Sequence, residues 1–117
     1  KAMFDLGSSR PTPLALRILQ VIADNIKSMP NPLAVEGHTD SLTYNSSYYS
    51  NWELSTERAL AARKELERYG LDPNRLIRVA GYADTVPLIK GNTKDPKNRR
   101  ISIILMFPTH NGEASSS

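Results

Sequence analysis

The sequence predicts an α+β domain, a two-layer sandwich in which a mixed β-sheet is covered by helices. Three observations predict it. Two stretches carry apolar residues at three- and four-residue steps, the spacing of an amphipathic helix. Short alternating or continuous apolar runs lie between and after them, with the lengths of strands. The two patterns alternate along the chain, so strands are joined by helical crossovers, which should be right-handed.

Residues 2–6 read as a short strand, closed by a Gly7-Ser8-Ser9-Arg10-Pro11 turn. Thr12 and Pro13 follow as an N-cap and a proline at the first helical position, where the missing N–H costs little. Leu14, Ile18, Val21, Ile22, Ile26 and Met29 then mark the apolar side of a first helix, which Pro30-Asn31-Pro32 ends. Residues 33–38 alternate as a strand with Leu33 and Val35 facing inward. Residues 39–50 form a polar, aromatic loop at its C-terminal end. Ser50 and Glu53 have capping-box spacing and open a second helix. Leu54, Ala59, Ala62, Leu66 and Tyr69 line one side of it, and Gly70 is placed to end it.

Leu71-Asp72-Pro73-Asn74 is a turn, residues 76–81 another strand, and residues 82–96 mostly loop with room for a short helix. Residues 100–107 are almost continuously apolar, as expected of a central strand covered on both faces. The order is β-α-β-α-β-(loop or helix)-β. One domain is expected over residues 1–107, with residues 108–117 as a disordered tail.

At 117 residues the chain suits a single hydrophobic core. A net charge of +3 permits an anionic partner, whether nucleic acid, an anionic lipid surface or a carboxylate-rich polymer, without choosing among them. Arg99-Arg100 is one dibasic step, far short of the roughly 6–10 phosphate contacts of salt-sensitive DNA binders, so no nucleic-acid partner is expected. The lack of cysteine excludes disulfides, thiolate metal sites and a cysteine nucleophile. No run approaches the roughly 20 apolar residues of a membrane span, and no signal peptide opens the chain. Because it begins Lys1-Ala2-Met3, the sequence is expected to be a piece of a longer protein, with a signal or transmembrane segment upstream.

Three segments are polar and specific: Gly37-His38-Thr39-Asp40, residues 50–59, and Asn98-Arg99-Arg100-Ile101. The first lies where a strand exits into a loop and the second opens the next helix. Ligands of open α/β sheets gather at such places. Asp40 can accept from a cation while Arg58 clamps a carboxylate with its two-pronged guanidinium. An aspartate and an arginine a ligand's width apart suit a zwitterion such as an amino-acid head group.

Four ordered segments resemble the OmpA-like peptidoglycan-binding family: Gly-His-Thr-Asp at 37–40, Asn-x-x-Leu-Ser-x-x-Arg-Ala at 51–59, Gly-Tyr-Ala-Asp-Thr-Val-Pro at 81–87, and Asn-Arg-Arg-Ile at 98–101. The resemblance spans roughly residues 1–107. It implies a βαβαβ(α)β domain that grips the diaminopimelate of uncrosslinked stem peptides without catalysing a reaction. Asp40 would meet the ligand's ammonium and Arg58 its carboxylate. Asn51 and Leu54 would flank the ligand, and Thr39 and Arg99 would neighbour the pocket. No cofactor and no metal are implied.

Residues 50–55, with Trp52, and the tyrosine-rich insertion at 44–49 are similar to the flagellar motor stator branch of that family. That likeness implies a homodimer in the periplasm, joined to a MotA-type stator partner through an upstream transmembrane helix. An outer-membrane tether of the OmpA or lipoprotein type is the alternative. A peptidoglycan hydrolase is a further one, with Glu36, Asp40 and Asp84 as its only candidate acids and no nucleophile elbow or zinc motif. The spacing from Asp40 to Arg58 is longer than in the porin-type members.

Plainer readings stand beside these. Asp40 also suits an Asx turn, and Arg58 a surface salt bridge to a nearby glutamate. His38 reads as structural, since its metal partners would have to come from Glu36, Asp40, Asp84 or His110. Trp52 reads as a core or staple residue before a sugar platform, and Tyr44, Tyr48 and Tyr49 suit either role. Arg99-Arg100 would pair with acids of the loop at 84–96, and Lys90, Lys94 and Lys97 form a solvated face.

Overall fold

The structure, a computed structural model, describes residues 2–42, 48–108 and 114–116. Helix α1 (Pro13–Ile26) is followed by strand β1 (Leu33–His38), helix α2 (Asn51–Arg68), strand β2 (Leu76–Gly81), strand β3 (Arg100–Pro108) and the short strand β4 (Ala114–Ser116). The sheet order is β2-β1-β3-β4. β1 runs parallel to β2 and antiparallel to β3, so the sheet is mixed, and α2 packs across β1 and β2. The α+β two-layer sandwich is the architecture expected.

The two helix starts follow their sequence signals. The Thr12 hydroxyl accepts from the Ala15 N–H at 3.3 Å, with Pro13 in the first turn. Ser50 caps α2, and the Glu53 carboxylate reaches back to the Ser50 N–H at 2.6 Å, completing the capping box. Gly70 follows the C-cap Tyr69 with φ +108°, a left-handed conformation that favours glycine.

Three expectations need correction. Residues 2–6 do not form a strand: Phe4 and Pro11 make one isolated antiparallel bridge, and the segment is tied down by side chains instead. The face of α1 is also shifted, since Ala15, Leu19 and Ala23 are buried while Leu14 and Val21 are exposed. Alanine carries little weight in a hydrophobicity pattern, yet it lets α1 lie close to its neighbours. Finally, the more deeply buried strand is β1, not β3. Leu33, Ala34 and Val35 are fully buried, whereas β3 is half-buried over residues 100–105. Helices cover one face of the sheet only, so an apolar run on β3 does not imply two covered faces.

Of the segment read as a tail, β3 continues through Pro108, and Ala114–Ser116 pair antiparallel with residues 106–108. The rest of it lies outside the described residues.

The core joins Leu19 and Ala23 of α1, Leu33 and Val35 of β1, Ala59, Ala62 and Leu66 of α2, and Leu71, with Val79, Ile101, Ile103 and Leu105 packed against it. Two glycines set how closely α2 approaches. A Cβ on Gly37 would overlap the Ser55 carbonyl, and one on Gly81 would overlap the Ser55 hydroxyl and the Thr56 backbone. The helix therefore rests on backbone at the C-terminal ends of β1 and β2, next to the loop that carries Asp40.

Candidate functional site

β1 leaves the sheet at His38, and Thr39 and Asp40 turn down beside β2. The Thr39 N–H donates to the Ala83 carbonyl at 2.9 Å, and its hydroxyl donates to the Asp40 carbonyl at 2.8 Å. Asp40 is buried and uses both oxygens. Oδ1 accepts from the Leu42 N–H at 3.2 Å, and Oδ2 accepts from Nη1 of Arg99 at 2.9 Å. Asp40 thus closes a turn, as its Asx reading expects, and its other oxygen is taken by the Arg99 guanidinium rather than left open to a ligand.

Arg58 is fully buried on the inner side of α2. Its Nε donates to the Ser8 carbonyl at 2.8 Å, Nη1 to that of His38 at 3.1 Å, and Nη2 to that of Asp5 at 3.2 Å. The guanidinium lies over the Phe4 ring, 4.9 Å from its centroid. Burying a cation is costly unless its donors are satisfied, and here backbone carbonyls from two segments satisfy them. Arg58 thus binds residues 4–8, a strap across the end of the sheet. The reading as a surface salt bridge is excluded by this burial.

Arg99 holds the same strap from the other side, its Nε donating to the Phe4 carbonyl at 2.7 Å. Phe4 therefore links the two arginines, with its ring under Arg58 and its carbonyl on Arg99. An open hollow of about 380 Å³ beside the strap is walled by Asp5, Thr12, Pro96 and Arg99 among others. The expected pairing of Arg99-Arg100 with acids at 84–96 does not occur. Arg99 takes Asp40, and Arg100 donates to the Val86 carbonyl at 2.9 Å.

Asn51, at the start of α2, donates to the Leu42 carbonyl at 3.0 Å, and so reaches Asp40 through one residue. Leu54 is buried one turn further on, where its role is packing. Thr39, Asp40 and Arg99 thus form one hydrogen-bonded cluster, with Asn51 and Arg58 each one link away.

Two supporting residues escaped the sequence reading. The buried Ser55 hydroxyl accepts from the Ala83 N–H at 2.9 Å and donates to the Trp52 carbonyl at 3.0 Å. It holds Ala83 at φ 54°, unusual for a residue with a side chain, in position to receive Thr39. Asn98 is fully buried; its oxygen accepts from the Ile89 N–H at 2.8 Å, and its nitrogen donates to the Asn92 carbonyl at 3.1 Å. It shapes the loop in which Thr93 meets Ser41, next to Asp40. Both sit inside the four ordered segments; for Ser55 the available signal was a polar residue among the buried positions of α2, and for Asn98 there was none beyond its segment.

The face of the sheet opposite the helices carries a second polar group. His38 stacks on Tyr82 at 5.6 Å between centroids, and its Nε2 lies 3.5 Å from Glu36, which also pairs with Arg78 at 3.1 Å. Burial lowers the His38 pKa below its usual value, the nearby Arg100 lowers it further, and Glu36 opposes both. Among the described residues no three acidic or histidine side chains are placed to hold a metal ion. Of the tyrosine-rich insertion, Tyr44 lies outside the described residues. Tyr48 is exposed, and Tyr49 donates to Glu57 at 2.8 Å.

Residues 3–100 match the OmpA family. This chain belongs to the OmpA family. Its likeness to motility protein B of Escherichia coli K12 is 42% identity over 108 residues, covering 91% of this chain and 35% of that protein. The chain therefore spans about a third of that relative. Among solved structures, the periplasmic domain of Helicobacter pylori MotB matches with a TM-score of 0.71 at 27% identity, over 85% of this chain and 71% of that one. The peptidoglycan-associated lipoprotein of Burkholderia pseudomallei matches with a TM-score of 0.72 at 26% identity, over 87% and 86%. The relatives are motility and OmpA-type structural proteins, and no described helix is long and apolar enough to cross a membrane.

Proposed function

We propose that this OmpA-family domain binds peptidoglycan without catalysing a reaction, and anchors a flagellar motor stator to the cell wall. The observation that carries the site is the cluster in which the buried Asp40 carboxylate meets Arg99, one link from Arg58. The motility branch is supported by 42% identity to motility protein B. In this reading the domain lies in the periplasm, dimerises, and is carried by an upstream transmembrane helix that assembles with a MotA-type partner.

The ligand is the zwitterionic head of a diaminopimelate stem peptide. Its ammonium takes the place of Arg99 at Asp40, and its carboxylate takes the places of the Asp5 and Ser8 carbonyls at Arg58. At Arg58 the exchange replaces two separate carbonyl acceptors with one ionised carboxylate, the partner that a planar guanidinium can hold with two parallel bonds. It requires the strap at residues 4–8 to yield. Thr39, Asn51 and Leu54 shape the wall.

The test is sedimentation with purified sacculi, with free diaminopimelate as competitor. Asp40→Asn keeps the acceptor for Leu42 and removes the charge. We expect at least a tenfold loss of retained protein at an unchanged circular dichroism spectrum. Retention equal to the parent would remove Asp40 from the site. Release of soluble muropeptides would overturn the non-enzymatic reading.

The second reading is an outer-membrane tether, supported by the fold shared with the Burkholderia lipoprotein. The upstream sequence separates them: one transmembrane helix for a stator, a lipoprotein signal or β-barrel for a tether.

A further inference from the structure

The residue least explained by the fold is Trp52. Its place in the first turn of α2 suits a staple, yet it is 53% exposed and belongs to no part of the core. With Glu53, Thr56 and Glu57 it lines an open hollow of about 350 Å³. Tyr48, 92% exposed, stands just upstream. An exposed indole has a large apolar face left in water, a cost that folding does not recover.

The polar groups around it are held in place. Glu57 accepts from the Tyr49 hydroxyl at 2.8 Å. Glu53 accepts from the Ser50 N–H and hydroxyl, both at 2.6 Å, which keeps its carboxyl ionised below the usual pH range. The Thr56 hydroxyl donates to the Trp52 carbonyl at 2.8 Å. The result is one flat aromatic wall with two fixed carboxylates at its margin.

We propose that Trp52, Glu53 and Glu57 form a subsite for a pyranose ring of the glycan strand. A sugar presents an apolar C–H face to the indole and an edge of hydroxyl and amide donors to the carboxylates. Two carboxylates repel an anionic ligand. A small cation would be better held by an enclosing aromatic cage than by one open wall. The subsite also continues the proposed stem-peptide site: Asn51, the neighbour of Trp52, bonds to Leu42, whose N–H bonds to Asp40. The inference therefore rests on the peptidoglycan reading and assigns the sugar to a separate set of residues.

Trp52 is the only tryptophan, so its emission reports the subsite directly. The probe is N-acetylglucosamine tetrasaccharide, titrated to millimolar concentration into the intact domain, with a free diaminopimelate-containing tetrapeptide in a parallel arm. The expected result is a blue shift and saturable change with the saccharide only. By NMR titration, Trp52→Ala should bind it at least tenfold more weakly and Glu57→Gln several-fold, both melting within a few degrees of the parent. Absence of any saccharide-induced change, undiminished binding by Trp52→Ala, or a response to the peptide instead would each overturn the subsite. Failure of the parent to sediment with sacculi would sink the peptidoglycan reading independently of this titration.

Discussion

Arg99 donates to Asp40 at 2.9 Å and, through its Nε, to the Phe4 carbonyl at 2.7 Å. One side chain thereby neutralises the only carboxylate of the Gly37-His38-Thr39-Asp40 segment and pins the N-terminal strap. Whatever displaces Arg99 from Asp40 also loosens the strap, because a rigid guanidinium cannot move one of its nitrogens alone.

Removing Arg99 leaves Asp40 charged, buried and unpaired. Loss of one partner of a buried pair costs about 3–5 kcal/mol, and Arg99→Ala should fall at or below the low end because Arg99 keeps some solvent contact. Urea denaturation measures it. In a double-mutant cycle, Asp40→Asn should show a coupling of at least ~0.5 kcal/mol with Arg99→Ala; strict additivity would mean that the pair contributes nothing.

Arg58→Ala deprives the carbonyls of Asp5, Ser8 and His38 of their donors, at roughly 1–3 kcal/mol for each that stays buried. Arg58→Lys restores the charge but not three diverging donors. Both should melt well below the parent, Lys less so, and amide exchange at residues 4–8 should rise first. A parent-like melting curve for Arg58→Ala would refute the strap.

Gly37→Ala places a methyl group against the Ser55 carbonyl, which cannot give way without moving α2. Overpacking costs about 1–3 kcal/mol and sometimes more. The expected loss of stability exceeds that of Gly91→Ala, where nothing lies nearby. Equal effects would show that α2 is free to shift.

His38 has a folded-state pKa lowered by burial and Arg100. The unfolded chain therefore takes up a proton, near its ordinary value of about 6.5, before the folded one does. Stability is then intact above that pH and is lost as pH falls through the folded pKa, by at most about 1.4 kcal/mol per unit. Glu36 and Arg100 act on His38, Tyr82 stacks on its ring and Arg58 holds its carbonyl, so the informative quantity is a difference. The parent minus His38→Gln stability should decline from pH 7.5 to pH 5, and a flat difference would show that His38 titrates normally.

Ser50→Ala removes the acceptor at the start of α2 and should cost about 1 kcal/mol. Glu53, lowered by its bonds to Ser50, should then titrate closer to an ordinary glutamate in a side-chain NMR titration. An unchanged Glu53 would mean that its backbone bond suffices.

The local signals were legible because they act within a few residues. Thr12-Pro13, the Ser50/Glu53 box and Gly70 each do what their spacing predicts. Leu33 and Val35 face the core as their alternation requires. The shifted face of α1 was not legible, since Ala15 and Ala23 are buried for their smallness rather than their hydrophobicity. Nor was the exposure of Trp52, because a staple and a platform have the same spacing.

By itself the sequence determined the helices, their caps, the strands of the core and the segments that meet at the site, since propensity and periodicity are short-range. Only the tertiary structure decided who partners whom. Asp40 pairs with a residue 59 positions away, and Arg58 reaches carbonyls 50 and 53 positions before it. Such pairings depend on how closely α2 can approach β1 and β2, and that distance is set by two missing Cβ atoms, at Gly37 and Gly81.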